Sequence, residues 1–263
     1  ALIIKLIAQN EIGQVDFKQI FSYLIMQSIC GIIAYLITSK YFKRSIPESI
    51  IWALTVALSN HVTLLLPITE IYFQQNVITQ VASIILMDGI ILLSVIAFFL
   101  ELSTKKNVNL FNFIKNLFLN PFILSIIIGL LFLLLNFNID QTPIEYTLSK
   151  LAACVSPVGL FAIGITLSFY TKNVINKLSV SISVLKLVIS PIILLLIGLV
   201  FFNAGLPAEI PGAFFVSVAP CGVTSIVLCA AYNVSPENII KAIFVSTFAS
   251  IGTIFFAIKY LTL

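Results

Sequence analysis

Ser59-Asn60-His61-Val62-Thr63-Leu64-Leu65-Leu66-Pro67 sets a hydroxyl, an amide, an imidazole, a second hydroxyl and then a proline in the middle of an otherwise apolar run, Glu48–Tyr72. A second apolar run, Glu209–Tyr232, is interrupted in the same way by Ala219-Pro220-Cys221-Gly222-Val223-Thr224-Ser225. Proline removes a backbone donor and obstructs the carbonyl one turn back, so each interruption frees polar backbone groups. In lipid such groups are tolerated only where they are buried in protein or line a cavity.

The rest of the sequence shows that the solvent is lipid. Of 263 residues, 60% are hydrophobic and 9% charged, against about 25% charged in a soluble domain. A chain this apolar has too few polar groups to cover its own surface in water. Its apolar runs are about 20 residues long and apolar on every side, which fits spanning helices and excludes barrel strands of roughly 10 alternating residues. The fold class is therefore an all-α polytopic membrane protein. One partial run, Ala1–Gln9, precedes Phe17–Ser39, Glu48–Tyr72, Thr79–Leu102, Phe113–Phe137, Thr147–Tyr170, Leu178–Phe202, Glu209–Tyr232 and Asn238–Leu261. Short loops make neighbouring helices antiparallel. Because the chain starts without Met inside an apolar run too short to span, it reads as the remainder of a longer one with upstream helices missing.

With the loops numbered alternately, one side holds Lys40, Lys43, Arg44, Lys105, Lys106, Lys115, Lys172, Lys177 and Lys241. The other holds Lys5, Lys18, Lys150 and Lys259 together with Glu11, Asp16, Asp140, Glu145 and Glu209. The positive-inside rule makes the first side cytoplasmic and puts the C-terminus on the other. The basic stretch after Glu101 marks a hinge between halves: residues 1–102 as a partial first repeat, 103–112 as a cytoplasmic hinge loop, 113–263 as a second repeat. Each interrupted helix follows a continuous span and precedes the last helix of its half, an order that predicts an inverted repeat. Interrupted helices at matching places point to a substrate site in a repeat-built transporter.

The residues at the breaks are the candidate site. The Asn60 amide can donate to a carboxylate or merely satisfy freed backbone. His61 is the one histidine, and histidine ordinarily changes charge near neutral pH. It is thus a candidate proton carrier, or else a polar group packed at the crossing or facing a vestibule. Asp88, an acid inside a span, is a candidate for carrying a proton or binding a cation, or for pairing with Lys186. Lys186 itself reads as snorkelling to the interface, with an electrostatic role toward an anion as the alternative. Thr63, Cys221, Gly222, Thr224 and Ser225 line the site by position, although hydroxyls in membrane helices often bond their own backbone. Pro67 and Pro220 hold the breaks open. Trp52 is expected to anchor at the interface, Glu101 to be an interfacial charge, and Gly129, Gly159 and Gly164 to serve helix packing. Cys30, Cys154, Cys221 and Cys229 read as small packing residues without disulfide or metal spacing.

No enzymatic constellation is present: there is no metal-spaced His/Cys/Asp cluster, no G-x-S-x-G and no phosphate-cradling glycine loop. The net charge of +4 is spread along short loops and does not suggest nucleic acid. No cofactor or metal is called for. The reading is a secondary transporter, with an anion channel or uniporter and a ligand-binding membrane receptor as alternatives.

Several motifs, in order, resemble one known family. Residues 59–67 resemble the Asn-Thr-Gly-x-x-Gly-x-Pro signature of the auxin efflux carriers, with the same Asn-to-Pro spacing. Asp88 to Glu101 is similar to the Asp-Asn…Glu helix of the bacterial branch, and Asn120-Pro121-Phe122-Ile123 with Gly129 to its Asn-Pro helix. Pro157-Val158-Gly159-Leu160-Phe161-Ala162-Ile163-Gly164 resembles Pro-leu-ala-leu-phe-x-x-Gly. Lys186 with Pro191, Ala219-Pro220, and Ser246-Thr247 match later helices. The resemblance implies a ten-helix, five-plus-five inverted repeat whose two broken helices cross, with one and a half helices missing upstream of Ala1. It implies a mobile bundle moving against a scaffold in a bacterial inner membrane. It also implies a small organic anion such as malate or malonate as substrate, a proton or sodium ion as coupling ion, and a homodimer as candidate assembly. The chain departs from the pattern at His61, where the family has Thr, and at Val62 and Leu65, where it has Gly. Glycine permits unwound backbone, so these departures imply a tighter crossing or one shaped for another ligand.

Overall fold

The computed structural model describes residues 1–8, 16–104, 118, 121–135, 137, 139–170, 174–203 and 205–262. Expectations that rest on Glu11, Lys105, Lys106, Lys115, Lys172, Asn120, most of the 103–112 hinge and the start of Phe113–Phe137 lie outside the described residues. Within them the chain is helical and holds no strand, only an isolated antiparallel bridge between Ser59 and Cys221. The helices are α1 Leu2–Ala8, α2 Phe17–Tyr41, α3 Ile46–Ala57, α4 Leu66–Tyr72, α5 Gln75–Thr104 and α6 Pro121–Leu134. They continue with α7 Pro143–Ala153, α8 Val155–Ser168, α9 Lys177–Phe202, α10 Pro211–Ser217, α11 Thr224–Ala231 and α12 Glu237–Thr262.

Among the described residues, five helical stretches are long and apolar enough to cross a membrane: α2, α5, Pro143–Thr166 (α7 running into α8), α9 and α12. The runs expected to be interrupted are interrupted, α3 from α4 at residues 58–60 and α10 from α11 at residues 218–223. Two continuous helices start a turn earlier than their apolar runs, for reasons of capping. Thr142 accepts the Glu145 N–H at 3.2 Å with Pro143 in the first turn, a start signal independent of hydropathy. At α5, Gln74 is extended and the helix begins on the polar pair Gln75-Asn76.

The helices pack in two groups. In the first, α2 lies against α3, α9 and α10, and α9 runs beside α12. In the second, α1 packs on α6 and α7, and α8 follows α7. The groups meet at the breaks: α8 lies against the turn His61–Leu65, and α6 against residues 88–92 of α5. Gly89 makes room there for the Phe122 ring, which would lie 1.6 Å from an added Cβ.

Four assignments are corrected. Trp52 is fully buried, its Nε1 turned 3.4 Å from Glu48 Oε1, so it fills the core instead of anchoring at a lipid interface. Lys186 is fully buried too; a hydroxyl in reach of its Nζ holds it inside, and it does not snorkel. Asp88 Oδ2 takes His61 Nε2 as its hydrogen-bond partner at 2.9 Å, not Lys186. Cys154 is exposed, at the turn joining α7 to α8, whereas Cys30, Cys221 and Cys229 are buried as expected.

Candidate functional site

The two breaks cross backbone to backbone. Asn60 N–H donates to the Pro220 carbonyl at 2.9 Å, and Gly222 N–H to the Thr55 carbonyl at 3.2 Å. A side chain at 222 could not fit: a Cβ there would lie 2.7 Å from the Leu58 carbonyl oxygen and 2.8 Å from Leu58 Cβ. Glycine is therefore required by close approach of two main chains.

Each proline leaves a carbonyl without its usual helical donor four residues back, and each such carbonyl is capped by a serine. Pro67 cannot donate to Thr63, whose carbonyl accepts from Ser156 Oγ of α8 at 2.6 Å. Pro220 cannot donate to Val216, whose carbonyl accepts from Ser59 Oγ at 2.9 Å. The proline–serine pairs answer the requirement that buried backbone polar groups be satisfied. The remaining groups of the second break are met likewise, Cys221 N–H by Ser246 Oγ at 3.2 Å and the Val218 carbonyl by Thr253 Oγ1 at 2.9 Å. Ahead of Pro67 the turn widens, with Leu66 N–H reaching back five residues to the His61 carbonyl. Such widened turns recur at residues 88–92 and 185–189, and they often mark functional positions in helices.

Ser59 is the hub beneath the crossing. Its hydroxyl proton goes to Val216, its oxygen accepts Lys186 Nζ at 2.7 Å, and Tyr23 OH lies 3.1 Å away. Beside it, Asn60 Oδ1 accepts from Thr63 Oγ1, while Asn60 Nδ2 is buried with no partner among the described residues. His61 Nε2 lies 2.9 Å from Asp88 Oδ2, with relative side-chain exposures of 6% and 1%. His61 Nδ1 and Asp88 Oδ1 are buried without partners among the described residues, and Gln27 of α2 stands beside the Asp88 carboxyl.

Of the residues expected at the site, Asn60, His61, Thr63, Pro220, Cys221 and Gly222 come together at the crossing, and Asp88 joins through His61. Pro67 stands a turn beyond, in the first turn of α4. Thr224 opens α11, and Ser225 Oγ is spent on the Gly222 carbonyl at 2.8 Å, the local bonding that membrane serines favour. Tyr23, Gln27 and Ser59 complete the cluster without having been singled out as site residues. For Ser59 the signal was adjacency to Asn60, but a glutamine or a tyrosine in an apolar helix gives no hint of its distant partner.

A cavity of about 570 Å³ opens next to the first break. Val62, Leu66 and Pro67 form one wall, Val155, Ser156 and Pro157 the opposite one, with Lys5 and Glu70 also lining it. The Ser156–Thr63 bond thus stands in the wall of this cavity, and Gly159, one turn on, permits the approach of Thr63, whose Cγ2 would lie 2.7 Å from an added Cβ. Among the described residues no group of acids, histidines and cysteines is arranged to hold a metal ion.

A family model described as membrane transport protein matches residues 1–258. No curated protein matches the chain significantly. The chain belongs to this membrane transport protein family, that of the auxin efflux carriers, which is a family of transporters and not of enzymes.

Proposed function

We propose that this member of the membrane transport protein family is a secondary carrier that moves a small organic anion by alternating access, receiving the anion's carboxylate at Asn60. The observation that carries the reading is the free donor: the Asn60 main-chain N–H and Oδ1 are both engaged, which fixes the amide, yet Nδ2 is buried without a partner. A buried donor left unpaired costs about 1–3 kcal/mol, and an incoming carboxylate would relieve that. The neighbouring cavity, at about 570 Å³, has the size of a small-molecule site, and Lys5 and Glu70 line it with one charge of each sign. Thr63, Cys221, Gly222, Thr224 and Ser225 complete the proposed binding region.

The two proline–serine pairs, one per break, support an inverted repeat of residues 1–102 and 113–263 about a 103–112 hinge. Basic-residue distribution supports placing the C-terminus on the non-cytoplasmic side, and the likeness to the bacterial branch of the family is what supports a bacterial inner membrane. A dicarboxylate such as malonate or malate is the proposed cargo, and a homodimer the proposed assembly.

The test is saturable uptake of labelled malonate and malate into proteoliposomes, wild type against Asn60→Ala. The variant should stay folded and monodisperse and lose at least about tenfold in uptake, as expected for about 1.4 kcal/mol or more at one contact. Normal uptake by the variant would remove Asn60 from the site. Non-saturable, voltage-driven flux would make the protein a channel or uniporter, and saturable binding without flux a receptor.

A further inference from the structure

We infer that His61 and Asp88 form a proton-binding pair, loaded and unloaded once per transport cycle, with His61 Nδ1 as the atom that takes the proton. The inference rests on the transport reading above and assigns its coupling ion.

Of the two acceptors left bare in the pair, His61 Nδ1 and Asp88 Oδ1, an imidazole nitrogen is ordinarily the more basic and takes the proton. His61 Nε2 is engaged with Asp88 Oδ2 at 2.9 Å, while Nδ1 is buried and unpartnered. In the unloaded pair, Nε2–H donates to the carboxylate, and Nδ1 carries a bare lone pair. A proton from water adds there, giving an imidazolium–carboxylate pair, and leaves from the same atom on the other side of the membrane. One N–H bond forms and later breaks; nothing is oxidised or reduced.

The charges that face the pair explain why loading accompanies an anion. Asp88 comes from α5, and Lys186 of α9 reaches the Ser59 hydroxyl, two residues from His61 in the chain, at 2.7 Å. Tyr23 and Cys30 face them from α2, and Cys221 from the second break. With Lys186 as its ammonium, the unloaded core carries one cation and one carboxylate and is neutral. The loaded core carries one extra positive charge, which offsets a carboxylate bound at Asn60, next to His61 in the chain. Net charge moved through hydrocarbon is costly, so the anion crosses more cheaply with the proton than without it, and the loaded core without the anion is disfavoured. That coupling is proton–anion symport. A hard metal cation, by contrast, requires a cage of oxygen ligands; Asp88 instead meets an imidazole nitrogen and the field of a lysine.

Two measurements on the full chain decide the matter. In proteoliposomes, exchange of labelled for unlabelled malonate reports transport itself, and a pH-sensitive dye reports protons moving with net uptake. Exchange together with about one proton per anion, the proton signal falling at least about tenfold in His61→Gln, is the expected result. Exchange without proton movement overturns the inference and leaves the transport reading intact; absence of exchange sinks the transport reading. The second measurement needs no substrate. Nitrogen-15 spectra of the purified protein, with the signal assigned by its loss in His61→Gln, should show the imidazole pass from one N–H to two as the pH is lowered, and Asp88→Asn should change where it does so. An imidazole that never takes the second proton, or takes it indifferently to Asp88, overturns the proposal whatever the substrate.

Discussion

Ser59→Ala removes one oxygen and strands three groups. Lys186 Nζ, fully buried, loses the hydroxyl it donates to at 2.7 Å; a hydrogen bond to a charged group is worth about 1.5–3 kcal/mol. The Val216 carbonyl loses its 2.9 Å donor and keeps the Ala219 N–H at 3.2 Å, and Tyr23 OH loses its partner at 3.1 Å. Each neutral loss adds about 1 kcal/mol, but the three share one network and do not sum. A destabilisation of at least about 3 kcal/mol is expected, which for a chain of this size lowers the melting temperature by about 6–12 °C. The assay is thermal unfolding of purified protein in detergent, run as a double-mutant cycle with Lys186→Met. Lys186→Met alone carries its own cost, because it removes the cation that balances the Asp88 carboxylate, so the cycle is read as a coupling. In the Ser59→Ala background its cost should be smaller by about 1.5–3 kcal/mol, the worth of the hydrogen bond already lost. If Ser59→Ala melts within about 2 °C of wild type, or the two substitutions are additive, the hub role of Ser59 is wrong.

Other substitutions test the crossing. Ser156→Ala leaves the Thr63 carbonyl without its donor and should cost about 1–3 kcal/mol; Pro67→Ala, which returns an N–H four residues ahead of that carbonyl, should recover part of it, both read from melting curves. Gly222→Ala forces a methyl to within 2.7 Å of the Leu58 carbonyl oxygen. It should cost about 1–3 kcal/mol by overpacking and speed hydrogen exchange at the Asn60 amide, whose bond to Pro220 must lengthen. Gly164→Ala, where an added Cβ meets nothing within 4 Å, should stay within about 0.5 kcal/mol of wild type by the same assay.

The helices were legible because each span announces itself through about 20 apolar residues, and the breaks because a proline and several polar side chains cannot sit in lipid unsupported. Order and spacing brought Asn60 and Pro220 to corresponding places, and one hydrogen bond joins them in the fold. What a linear reading lacked was partnership. Lys186 reads as a snorkelling lysine because its distance from the helix end is visible in sequence, while the Ser59 hydroxyl that holds it, 127 residues away, is not. Trp52 reads as an interface residue from composition statistics; only packing shows that α3 turns it inward. Capping signals at Thr142 and Glu145 were available and would have moved a helix start by a turn, but hydropathy windows ignore them.

The two breaks are alike in chemistry and unlike in what they hold. Val216 is tied to Ser59, and both belong to the helix group built on α2, α3, α9 and α10, so that bond travels with its group. Thr63 is tied to Ser156 of α8, in the other group. Any movement of one group past the other must therefore break the Ser156–Thr63 bond and can leave the Ser59–Val216 bond whole. Breaking a buried bond to a proline-freed carbonyl would be prohibitive in a dry interface. Here the bond stands in the wall of the 570 Å³ cavity, where water can take the place of the Ser156 hydroxyl at little cost. The same serine that stabilises the break is thus also the one the motion can release, and its carbonyl partner is three residues from the amide proposed to hold the anion. Relative movement of the two groups and a change at the Asn60 amide are then one event, because Thr63 is bonded to α8 through its main chain and to Asn60 through its side chain.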